Sequence, residues 1–214
     1  MKRMISILLC ILFFYGCAEH ASNSRGVYLL LDTSGTYTKE LKKAQQIINF
    51  LLGTLGPGDT IAVARIDSAS FSEKDIVAKV TFDSRPSVAN AQKRKFAEII
   101  NDFVDQVKGS QYTDITGGLF QAIEYLNEVQ ASDKHILIYS DLKEELPEGY
   151  NRNLNFTLDG FHVRALNVTK LRADNVNPEE YVDRLKVWKQ KVETGGGQWQ
   201  VINDLDREDA LVLS

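Results

Sequence analysis

Cysteine is nearly absent from this chain. The 214 residues contain two, Cys10 and Cys17, both within the first 17 positions. The body of the chain therefore has no means of forming a disulfide or a thiolate-ligated zinc or iron–sulfur site. Proline is scarce, with 4 residues, and glycine, with 14, is ordinary, which excludes collagen-like and low-complexity classes. Positive charge is not in excess: 25 Lys and Arg face 29 Asp and Glu, a net charge of −4. The basic footprint of a nucleic-acid binder is missing, and nucleic acid is not an expected partner. The three histidines, His20, His135 and His162, are scattered, and two lie in or beside predicted strands, which points to core or surface roles rather than catalysis. There is no Gly-x-Ser-x-Gly elbow and no Walker-type phosphate loop. Gly53, Gly56 and Gly58 surround a helix-to-strand turn, the wrong order for phosphate binding. What remains is ordinary globular usage, 43% apolar and 25% charged, in a chain long enough to bury one core without staples.

Long apolar runs are missing too. The longest, Met4 to Tyr15, is broken only by Ser6 and falls short of the roughly 20 residues that span a bilayer. It follows Lys2 and Arg3, the pattern of a secretory signal. Its ending, Gly16-Cys17, resembles the lipobox of bacterial lipoproteins, in which a small residue precedes a cysteine that is lipidated and becomes the mature N-terminus. Phe14 and Tyr15 stand where that family usually has leucine and a small residue. The resemblance implies a signal peptide over residues 1–16, a lipid on Cys17 and a polar tether over 17–25. The domain proper then covers 26–214, and loss of Lys2 and Arg3 leaves it more acidic. A plain signal cut just beyond, or an uncleaved anchor, are the other readings of the same run. Ala18 lacks the aspartate of an inner-membrane retention signal. The expected place is therefore the cell envelope, facing the periplasm, with the outer membrane weakly favoured for a Gram-negative source.

From Gly26 the pattern alternates strand and helix. GVYLLL (26–31) and TIAVARI (60–66) are continuous apolar runs, suited to strands buried on both faces. IVAKVTF (76–82) alternates and reads as a strand paired antiparallel with the second through a short polar connection. KHILIYS (134–140), FHVRALNV (161–168) and QWQVI (198–202) complete the strands. Between them, Leu41, Ala44, Ile47, Ile48, Leu51 and Leu52 share one helical face, as do Phe96, Ile99, Ile100, Phe103, Val104 and Val107, and Leu119, Ala122, Ile123 and Leu126. Asn177-Pro178-Glu179-Glu180 reads as a helix start capped by Asn177, followed by core positions Tyr181, Leu185, Trp188 and Val192. The polar stretch 142–160 leaves room for a short helix around 151–157. The sum is an α/β fold of three layers, doubly wound. Its sheet is mostly parallel with one antiparallel edge strand, and helices cover both faces.

In such folds ligands bind beyond the carboxyl ends of the strands, where strand order reverses. The first strand runs into Asp32-Thr33-Ser34-Gly35-Thr36, and the fourth into Ser140-Asp141. Thr113 sits in the loop opening a helix. If the first and fourth strands are neighbours, two carboxylates and up to three hydroxyls converge with no histidine or thiol, a hard-cation ligand set suited to Mg²⁺, or less strictly Mn²⁺ or Ca²⁺.

The segments LLLDTSGT, TLGPGDTIAVARI, YTDITGGLFQAI and HILIYSDL resemble a von Willebrand factor type A domain, and the likeness extends from about Gly26 to Ile202. The first, third and fourth resemble its metal-ion-dependent adhesion site. The resemblance implies Asp32, Ser34, Thr36, Thr113 and Asp141 as the metal site, with hydroxyls bound directly and aspartates directly or through water. A partner's carboxylate often completes the shell in that family. Thr36 replaces the usual second serine. Ser140-Asp141-Leu142 replaces Thr-Asp-Gly, a change that removes the glycine's freedom next to Asp141. Asp114 either caps its helix or orients the site from behind the ligands.

These features point to a non-enzymatic module. It would be held at the envelope membrane by a lipid on Cys17 and would bind a protein partner, through that partner's Asp or Glu, by a divalent cation. The rivals are a metal-independent scaffold subunit of an envelope assembly and a metal-dependent hydrolase of phosphoesters. The hydrolase lacks a visible second metal cluster, base or phosphate-holding arginine pair. Replacing Cys17 with Ser is expected to abolish labelling by a palmitate analogue and to release the chain from the membrane fraction. Labelling that persists in the variant contradicts the assignment.

Overall fold

The computed structural model describes residues 24–35, 37–67, 72–150, 152, 154–205 and 213. The signal, Cys10, Cys17, most of the tether and Thr36 lie outside them.

The chain alternates as its hydrophobic periods dictate: β1 (Arg25–Leu31), α1 (Leu41–Thr54), β2 (Thr60–Arg65), β3 (Ile76–Thr81), α2 (Pro86–Gln106), α3 (Ile115–Glu128), β4 (Asp133–Tyr139), β5 (Phe161–Leu166), α4 (Pro178–Thr194) and β6 (Gln198–Ile202). The six strands form one sheet in the order β3-β2-β1-β4-β5-β6. All neighbours are parallel except β2 and β3, which pair antiparallel at the edge. This is the three-layer, doubly wound α/β architecture expected from the sequence.

The alternation of side chains along each strand assigns the layers. Val27, Leu29 and Leu31 pack with Ile48 and Leu51 of α1 and Phe96 and Ile100 of α2. Tyr28 and Leu30 pack on the other face with Leu119 and Leu126 of α3 and Trp188 and Val192 of α4. All six apolar positions predicted on α1 are buried; each large one contributes roughly 1.5–3 kcal/mol relative to an exposed state.

Three details differ from the sequence reading. β1 starts at Arg25, inside the span read as tether, because Asp59 at the α1–β2 turn accepts from the Arg25 backbone N–H (2.8 Å) and from its guanidinium Nη2 (2.9 Å). No helix forms among the described residues of 142–160. Phe156 and Leu158 are both buried while Thr157 is exposed, the two-residue alternation of an extended strap rather than a helical period. Asn177 makes no side-chain cap; its Nδ2 donates instead to Glu180 (3.2 Å). His135 is fully buried, stacked on the His162 ring at 5.0 Å and 2.8 Å from Asp133, a packed group at the start of β4.

Gly118 marks where α3 crosses the sheet. A Cβ there would lie 2.5 Å from Ile66 Cγ2 and 3.0 Å from Leu30 Cδ2. In an open helix, glycine to alanine stabilises by about 1 kcal/mol. Here Gly118→Ala is expected to lower the melting temperature, because the branched neighbours have no free direction to yield. A raised melting temperature contradicts this packing.

Candidate metal centre

Strand order reverses at β1, which has β2 on one side and β4 on the other. The register pairs Leu31 with Tyr139, and the Asp32 N–H still donates to the Tyr139 carbonyl at 3.0 Å. Asp32 and Ser140-Asp141 therefore emerge side by side at the carboxyl edge.

A third loop is stitched to both. Ser110 N–H donates to Thr33 O (2.8 Å) and Gly35 N–H to Ser110 O (3.0 Å); Thr113 and Glu145 exchange both backbone hydrogen bonds, at 2.8 and 2.9 Å. The close approach needs Gly109, where a Cβ would lie 2.9 Å from Gly35 Cα. A single sequence carries no mark of that cross-loop contact.

These contacts converge on Asp32, which is fully buried. Its Oδ1 accepts from the Ser34 N–H (2.8 Å) and its Oδ2 from Ser140 Oγ (2.6 Å). Thr113 Oγ1 lies 3.5 Å from Oδ1, at the limit of a hydrogen bond. Burial raises the Asp32 carboxyl above its ordinary range, and the hydroxyls of Ser140, Ser34 and Thr113 and the Ser34 N–H work against that rise. Asp141 is 4% exposed, with Oδ1 accepting from the Lys143 N–H (2.9 Å). Its pKa is pushed up to about 6, first by burial and then, against a backbone hydrogen bond, by the charge of Asp32.

The nearby Arg184 is committed elsewhere. Its Nη1 and Nη2 hold Asp174 at 2.8 and 2.7 Å, while Nε donates to the Asp141 carbonyl at 3.3 Å. Trp188 Nε1 donates to the Leu142 carbonyl at 3.0 Å. These two α4 side chains hold a loop in which Leu142 has a left-handed φ of 65°, a conformation that costs a non-glycine residue of order 1 kcal/mol or more. Leu142 thus adopts a conformation that glycine takes freely, with its side chain buried to 1% exposure as compensation. Sequence reasoning found neither Arg184 nor Trp188 as supports, because they lie some forty residues downstream.

Asp114 is a helix cap: it accepts from the Gly117 N–H (2.7 Å) and pairs with Arg152 (2.9 Å). Glu144 adds a second clamp on α3, accepting from Thr116 N–H (2.7 Å) and Oγ1 (3.1 Å). Of the predicted ligand residues, Asp32, Ser34, Thr113 and Asp141 share one locus; Thr36 lies outside the described residues.

Two buried carboxylates that repel each other, with no salt bridge to either among the described residues, fit a divalent ion. Among the described residues no group of three or more His, Cys, Asp and Glu is placed to hold one. The donor set is two carboxylates with hydroxyls, which suits Mg²⁺ or Mn²⁺ with retained waters better than a zinc site.

A pH dependence follows. The Asp141 value of about 6 lies above its ordinary 3.8, so between these limits the folded chain holds more protons than the unfolded one. Stability without metal falls as pH rises through that window and stays lower above it. Asp141→Asn is therefore expected to raise the metal-free melting temperature by several degrees at pH 7.5 and to change it little at pH 4. An equal shift at both pH values contradicts the burial of this charge.

No protein-family model and no curated protein matches the chain. Among solved structures, a von Willebrand factor type A protein from Catenulispora acidiphila is 15% identical, with a TM-score of 0.53 and 88% of this chain covered. The pilus adhesin SpaC from Lactobacillus rhamnosus GG, in an open conformation, is 13% identical, with the same TM-score of 0.53 and 88% covered. This chain spans 41% of the first and 29% of the second. At these identities the likeness is one of fold, and the fold of this chain is that of a von Willebrand factor type A domain.

Proposed function

We propose that this chain is a non-enzymatic interaction module that binds a protein partner through a divalent cation, Mg²⁺ or Mn²⁺, and is held at an envelope membrane by a lipid on Cys17. The observation that carries the proposal is the meeting of Asp32, Ser34, Thr113 and Asp141 at the strand-order switch, with two buried carboxylates that form no salt bridge among the described residues.

The chain's own groups divide the work. Asp32 is the fixed centre: with the Ser34 N–H and Ser140 Oγ bonded to its two oxygens, it has little rotamer freedom left to lose. Asp141 is the adjustable member, its carboxylate accepting from one backbone N–H among the described residues on a loop braced by Arg184 and Trp188. Ser34 and Thr113 supply neutral oxygens, so the protein contributes two negative charges. A bound divalent cation would supply an electrophilic position that attracts an acidic side chain of a partner. Lys143 and Glu145 pair beside the site at 2.5 Å, so neither is a free base for hydrolysis.

Asp32→Ala and Asp141→Ala, measured by titration calorimetry on the detergent-solubilised full chain, are expected to lower Mn²⁺ affinity at least tenfold. The circular dichroism spectrum should stay unchanged. A partner recovered from solubilised membranes is expected to be lost on adding chelator. Unchanged metal binding in both variants rejects the metal reading, and a partner that survives chelator favours the scaffold.

A further inference from the structure

Beside Asp141 a cleft of about 660 Å³ opens between the loop after β1 and the loop after β5, lined by Gly35, Tyr37, Lys39, Glu40, Asp141 and the segment 169–172. It belongs to the size class that holds a ligand larger than one side chain. Its floor is rigid. Tyr37 is buried, and its hydroxyl donates to the Asn167 carbonyl at 2.6 Å. Asn167 Nδ2 reaches back to that hydroxyl at 3.1 Å.

The charges around the cleft are unevenly committed. Glu40 is engaged by Lys43 (2.9 Å) and Asn167 Nδ2 (3.2 Å). Asp174, just behind the wall, is buried and bound bidentately by Arg184. The cations are exposed: Lys39, Lys170 and Arg172 all face solvent. Lys39 and Arg172 make no side-chain hydrogen bond or ion pair with a described residue; Lys170 overhangs the Tyr181 ring at 5.8 Å and its charge helps to hold the Asp174 carboxyl low, without a salt bridge to it. On a chain whose net charge is −4, the exposed and unpaired charges around this cleft are positive, and they adjoin the buried Asp141 and the candidate metal centre.

We infer that Lys39, Lys170 and Arg172 form a second anionic subsite, so that the partner segment taken here is an acidic peptide with several carboxylates rather than a single one. One carboxylate addresses the metal position beside Asp141, and the following acids lie along the cleft against the three cations. This rests on the metal-dependent reading above for its first carboxylate, whereas the subsite itself rests on the cleft and its charges. Exposed cations act over roughly a Debye length, about 10 Å at 0.1 M salt, so their effect is salt-dependent and selects for charge density rather than for one side chain.

The test uses the detergent-solubilised full chain with Mn²⁺ and two fluorescein-labelled glycine-based peptides, one bearing a single glutamate and the other three. At low salt the three-acid peptide is expected to bind at least tenfold more tightly by anisotropy, with the difference shrinking in 0.5 M salt. The combined variant K39A/K170A/R172A is expected to erase that preference while keeping its Mn²⁺ affinity and its binding of the single-acid peptide. A variant that retains the preference overturns the subsite, as does a wild-type chain that binds the two peptides equally or binds neither. Tripolyphosphate that binds more tightly than the three-acid peptide overturns the peptide assignment. Asp141→Ala separates the two readings. If it loses the single-acid peptide, the metal reading holds. If three-acid binding survives both Asp141→Ala and chelator but is lost in the triple variant, the subsite stands and the metal-dependent reading fails.

Discussion

Everything at the carboxyl edge of this sheet depends on burying the Asp32 carboxylate. A charge with no exposed surface is tolerated only where hydrogen bonds or an ion offset lost hydration. Here the compensation comes from three separate loops: Ser34 from the loop after β1, Thr113 from the loop before α3 and Ser140 from the end of β4. Backbone bonds at Ser110–Thr33 and Thr113–Glu145 keep those loops in contact. The protein-only solution is incomplete, because Asp141 stands nearby as a second buried acid and each raises the cost of ionising the other. That unbalanced charge is what the proposed function builds on: a cation bound at this edge would offset both carboxylates.

Strands and helices were legible because their causes are local. Unbroken apolar runs of six or seven residues suit buried strands, and the helical faces kept their period. The crossover pattern then required a parallel sheet, which placed Asp32 beside Asp141 once β1 and β4 were neighbours. The residues that escaped reading act across space. Gly109 is defined by how near Gly35 passes, Arg184 by a carbonyl forty residues earlier, and the Lys39–Lys170–Arg172 rim by two loops that meet only in the folded chain. The expectation of a short helix around 151–157 failed among the described residues because the polar composition hides a two-residue alternation confined to Phe156 and Leu158.

The support around Asp141 differs from that around Asp32. Side-chain hydroxyls grip Asp32 directly, whereas Asp141 is held through its backbone, by Arg184 and Trp188 of α4. The left-handed Leu142 beside it depends on that brace and on its own burial. Asp32 is thus fixed by the sheet edge, while the setting of Asp141 is tied to α4 and to the loop after β5. The same loop carries Lys170 and Arg172, so Asp141 and the basic cleft share a wall.

The central claim is that a divalent cation binds where these loops meet. Its most direct test is paramagnetic broadening by substoichiometric Mn²⁺ in amide spectra of the isotope-labelled chain. The account predicts that the amides of Ser34, Gly35, Thr113, Asp141 and Leu142 fade first and return on adding chelator, while those at the opposite end of the sheet, such as Lys134 and Phe161, persist. Broadening centred on any other surface, or none at concentrations that saturate a metal-binding protein, would contradict it.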